Sequence, residues 1–109
     1  MIETVYTYTK TVEKVIEKLV TDDDVMINHV VLRATEALVE HYSDSNVYLI
    51  VVSGTLTIAL DDQEAQSYHA SVVNVPFHTK MNISNVEKEA LEFFIVKAPH
   101  PRVYKERNV

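Results

Sequence analysis

The sequence has no cysteine, a single glycine, three prolines and no apolar run longer than the six residues 47–52. Each shortage excludes something. Without cysteine there is neither a disulfide framework nor a thiolate nucleophile. Average usage of about 7% would give roughly seven or eight glycines in a chain of this length, and only Gly54 is present. P-loops and dinucleotide folds need several glycines in one loop so that backbone can approach phosphate, and both are excluded. Six apolar residues fall far short of the roughly 20 that a membrane-spanning helix needs. The opening Met1-Ile2-Glu3-Thr4 lacks the basic-then-apolar form of a signal peptide. Basic residues are also few: ten against sixteen acidic ones, a net charge of −6. An acidic surface repels phosphate backbones and anionic lipid, so no nucleic-acid or membrane partner is expected and the expected location is cytoplasmic. Only Arg102, Lys105 and Arg107 cluster, near the C-terminus, where a frayed end is expected.

What is present is a β pattern. The 109 residues suit one domain, and 47% of them are apolar, enough for a core. Strands are predicted over 26–33, 47–52, 55–60, 71–75, 81–83 and 91–97. In the third of these, Leu56, Ile58 and Leu60 share one face and Thr55, Thr57 and Ala59 the other. Asp61-Asp62-Gln63-Glu64 reads as a polar turn, where Asp tolerates left-handed backbone. Asp22-Asp23-Asp24 reads as a solvated turn, because it lacks the glycine and distal glutamate of a calcium loop. The run from Leu91 is apolar on both faces, which places it inside a sandwich or at a subunit contact. One segment is ambiguous. Val12, Val15, Ile16, Leu19 and Val20 have helical spacing, and only residues 16–20 alternate acceptably as a strand.

Read outward from Gly54, the middle of the chain resembles a cupin. The first motif of that family runs histidine, any residue, histidine, three or four residues, glutamate, six residues, glycine. His41, Ser43, Val47 and Gly54 stand at those positions with the spacing kept. The second motif runs glycine, five residues, proline, any residue, glycine, two residues, histidine, three residues, asparagine. Ala70, Pro76, His78, Met81 and Asn85 occupy its positions, with the proline and asparagine kept. The likeness covers about residues 25–98 and implies an all-β, single-domain cupin-type jelly-roll β-barrel spanning residues 1–109. Because small cupins usually open with strands, it also favours a strand over 16–20.

Cupins typically hold a divalent metal with three histidines and a glutamate. Carried over, that set is His41, Ser43, Val47 and Met81: one imidazole, a hydroxyl, an alkyl group and a soft thioether. No cofactor is therefore expected. A rebuilt divalent-metal site of His29, His41 and Glu40 would require cooperating strand parities; otherwise His29 is a core or outward-facing histidine. The resemblance instead implies a small-molecule site with His41, Ser43, Val47, Met81 and His78 as contacts. Leu49, Val51 and Ile83 would complete an apolar wall, and His41 is the one candidate general base. His78 stands where the family has glycine, a position that asks for left-handed backbone, which His tolerates. A triad on Ser43 is rejected, since alternation points Asp44 the other way. The alternatives to metal-free binding are an oxygenase or isomerase with a rebuilt site around His41, and a structural or regulatory module. A homodimer is expected from the two-sided strand at 91–97 and from family habit.

Overall fold

The computed structural model describes residues 2–107. Nine strands and one short helix follow one another: β1 (Val15–Thr21), β2 (Met26–Leu32), β3 (His41–Tyr42), β4 (Val47–Ser53), β5 (Leu56–Leu60), β6 (Gln66–Tyr68), β7 (Val72–Val75), β8 (Lys80–Ser84), β9 (Leu91–Lys97) and α1 (Pro101–Arg107). They form two antiparallel sheets, a five-stranded one ordered β1-β2-β9-β4-β7 and a four-stranded one ordered β3-β8-β5-β6. This is the all-β jelly-roll class that the spaced motifs implied.

The core lies between the sheets. Val30 and Leu32 of β2, Val47, Leu49 and Val51 of β4, and Leu91 and Phe93 of β9 face Leu56 and Ile58 of β5 and Met81 and Ile83 of β8. Alternation along each strand puts these side chains inward and their neighbours outward. β9 is the centre of the larger sheet, paired with β2 on one side and β4 on the other. Its outer face is partly covered within the same chain, where Tyr8 meets Phe94 edge-on at 5.0 Å.

β1 accounts for the ambiguous segment. Its ladder with β2 shifts register between Lys18 and Val20. A bulge inserts a residue and resets the alternation, so the adjacent Leu19 and Val20 break the period of two, while Val12 lies outside the strand. The C-terminal end departs from expectation in the other direction: residues 101–107 form α1 rather than a frayed tail. Pro101 suits the first helical position, the Arg102 N–H donates to His100 Nδ1 at 3.1 Å, and Tyr104 stacks on Phe77 with centroids 4.2 Å apart. The acidic turn behaves as read, with Asp22 Oδ1 accepting from the N–H groups of Asp24 and Val25.

Left-handed backbone falls at Gly54 (φ 78°) and at Thr35, Asp61, Ala70 and His78. The second-motif positions Ala70 and His78 thus adopt left-handed backbone without being glycine. Gly54 is different, because a Cβ there would lie 2.3 Å from the Ala90 carbonyl oxygen.

Candidate functional site

Between the sheets, at the end away from Gly54, the core opens into a cavity of about 310 Å³. Six strands line it. Ile16 comes from β1, Asn28 from β2, His41 from β3, Val47 and Leu49 from β4, Met81 and Ile83 from β8, and Ile95 and Lys97 from β9; Leu38 and Val39 precede β3. The wall is thus aliphatic and thioether, with three polar groups set into it. A larger hollow beside Gly54 is bounded by Thr55 and the exposed loop residues Val86, Glu87, Lys88 and Glu89, and no buried polar group points to a ligand there.

The three polar groups differ in their partners. His41 Nδ1 lies 2.8 Å from the Val39 carbonyl oxygen. A carbonyl only accepts, so Nδ1 carries the proton and Nε2 is left as the ring's second polar atom. Lys97 Nζ sits 3.0 Å from Asp44 Oδ1, its side chain only 16% exposed while that of Asp44 is half-exposed. Asn28 Oδ1 is buried and has no hydrogen-bond partner among the described residues. Such an orphan is costly, about 1–3 kcal/mol, and uncommon without a purpose.

Of the five sequence-derived contacts, the structure brings His41, Val47 and Met81 together and separates two. Ser43 is buried, but its hydroxyl donates to the Pro76 carbonyl oxygen at 2.6 Å and accepts the Thr79 N–H at 2.8 Å. Its backbone bonds the same turn, so Ser43 fastens the second motif's loop and does not line the cavity. His78 is exposed and stacks on Tyr42 at 4.9 Å, also outside the lining. Val51 stays in the solid core. Ile16, Asn28, Leu38, Val39, Ile95 and Lys97 are additions. Strand parity could have found three of them: Asn28 shares a face with Val30 and Leu32, and Ile95 and Lys97 continue the inward row of Leu91 and Phe93.

The donor set does not fit the divalent ion typical of the family. Val47 offers no lone pair, the Ser43 hydroxyl is committed to two backbone partners, and the Met81 thioether is buried in apolar surroundings. The rebuilt alternative is not assembled. His29 is on the outer face of β2, opposite Asn28, with Nδ1 2.6 Å from Glu17 Oε2 and Nε2 2.7 Å from Glu92 Oε2. Glu40 instead accepts from Asn82 Nδ2 at 2.9 Å. Among the described residues no group of three or more His, Asp or Glu side chains is placed to hold a metal.

No protein-family model matches the chain. An uncharacterised protein of Methanocaldococcus jannaschii, MJ0764, is 48% identical over 104 residues, spanning 94% of this chain and 90% of the relative. The solved structure of that archaeal protein, described as an RmlC-like cupin family protein with a double-stranded β-helix fold, superposes with a TM-score of 0.92 at 47% identity over 100% of this chain and 99% of that one. A cupin superfamily protein of Desulfitobacterium hafniense shares the fold at a TM-score of 0.70 and 18% identity, over 84% and 83% of the two chains. The Schizosaccharomyces pombe Cnp3 cupin domain does so at 0.73 and 18%, over 86% and 70%. Two motif spacings, a two-sheet jelly roll and near-half identity over almost the whole length agree: the chain belongs to the cupin superfamily.

Proposed function

We propose that the protein binds a small molecule in the inter-sheet cavity and does so without a metal ion. The observation that supports this reading is the lining itself, an apolar wall carrying Asn28, His41 and Lys97 in a space of about 310 Å³. Small-molecule sites have this form: a concave, mostly apolar surface of about 300–1,000 Å³ with a few placed polar groups. The pocket opens to the surface where Ile16, Val39 and His41 are exposed, and Val47, Leu49, Met81 and Ile83 form its buried floor.

A ligand that binds only the folded protein raises its thermal midpoint by mass action. Octan-1-ol is a suitable neutral probe, and the midpoint is expected to rise with its concentration. The Ile83→Phe variant, which adds bulk to the wall, should lose the rise. No rise, or the same rise in Ile83→Phe, contradicts the reading. Elemental analysis of protein prepared without chelator or histidine tag is expected to show far less than one metal per chain; stoichiometric iron, manganese, nickel or zinc contradicts the metal-free part.

A further inference from the structure

We infer that the ligand class of this cavity is a small organic acid, an apolar body of roughly ten heavy atoms bearing one anionic head; this rests on the cavity being a binding site. The size follows from the volume, since about 310 Å³ is on the order of ten times the roughly 30 Å³ share of one water. The charge follows from the lining. In a chain with sixteen acidic and ten basic residues, His41 and Lys97 are the only ionisable side chains in the lining among the described residues, and the carboxylate of Asp44 reaches Lys97 from outside it.

Lys97 is the anchor. Its ammonium has three donors and is largely withdrawn from water, yet its one partner among the described residues is the half-exposed Asp44, at 3.0 Å and 3.2 Å to the two carboxylate oxygens. An entering carboxylate gives this cation a second, better-sheltered partner, and charge-assisted hydrogen bonds are about twice as strong as neutral ones. His41 Nε2 is the acceptor nitrogen once Nδ1–H is spent on Val39, and the unpaired Asn28 atom is its acceptor Oδ1, so Lys97 alone supplies the charged contact to the head.

Three probes of matched length separate the possibilities: octanoate, octan-1-ol and octylamine. Each is titrated while the ε-methyl resonance of Met81, which lies in the cavity wall, is followed by NMR. Octanoate is expected to bind at least about tenfold more tightly than octan-1-ol, a factor that corresponds to one good charged contact, with octylamine the weakest. Lys97→Met should abolish the acid preference, so that octanoate and octan-1-ol bind alike, and a Met81 signal that still moves with octan-1-ol shows that the cavity has survived the substitution. Equal binding of acid and alcohol, a preference for the amine, or an undiminished acid preference in Lys97→Met overturns the acid assignment and leaves the cavity site standing. If none of the three moves the Met81 signal, the binding reading itself falls, and this one with it.

Discussion

Glu17 and His29 show how single side chains tie the N-terminal segment to the outer face. Each His29 ring nitrogen faces a carboxylate, and two acceptors are both satisfied only by a ring that donates from both nitrogens. Tyr8 covers the ring at 4.7 Å, and Glu17 also accepts from the Thr9 N–H and hydroxyl, each at 2.9 Å. The Thr9 N–H first, and then His29, hold the Glu17 carboxyl below its ordinary value. The unfolded chain therefore takes up this proton before the folded one does. The stability that Glu17 contributes is complete above the ordinary carboxylate range, about 4.3, and is lost as pH falls through the lowered folded value. The Glu17→Gln variant is expected to melt below the wild type at neutral pH, with the gap closing as pH drops beneath about 4. Thermal midpoints measured from pH 3 to 7 check this, and a gap independent of pH contradicts it. Nothing at sequence level announced the pairing, because Glu17, His29 and Glu92 meet only through the β1-β2-β9 register.

Strands and turns were more legible than single contacts, and Gly54 shows why. A glycine between two apolar runs marks a tight connection, and here two independent constraints demand it: a φ of 78° and the Ala90 carbonyl within 2.3 Å of any added Cβ. The Gly54→Ala variant is expected to lose about 2–4 kcal/mol, combining left-handed strain with displacement of the β9 entry. Urea unfolding should show a lowered midpoint at unchanged slope; a loss under about 0.5 kcal/mol, the scale of an ordinary surface change, contradicts the account. The short strands β3 and β6 were missed because two or three residues carry too little alternation to register. The β1 bulge defeated periodicity by inserting a residue, and α1 rests on the Phe77–Tyr104 stack between residues 27 positions apart in the sequence.

Over the whole molecule, fold and site were legible to different degrees for one physical reason. The fold depends on turns and inward parity, and Gly54, Pro76 and Asn85 remain at their motif places. Asn85 is fully buried, donates to the carbonyls of Leu32 and Glu89, and accepts the Glu87 N–H, so it serves the fold directly. The site depends on what the former ligand positions now contain. Two of them, Val47 and Met81, have become cavity wall, His41 stays at the wall with a single tautomer favoured, and Ser43 has become a fastener. Lys97 escaped notice because a charged residue at the end of β9 gives no sign of facing inward until the parity of Leu91, Phe93 and Ile95 is extended to it. The central claim, that the space between the sheets is a ligand site, is tested most directly by a crystal structure with 6-bromohexanoate. The account predicts anomalous bromine density between the sheets beside Leu49, Met81 and Ile83, with the carboxylate at Lys97. Bromine found only on the outer surface, or an inter-sheet space that stays empty at saturating ligand, would contradict it.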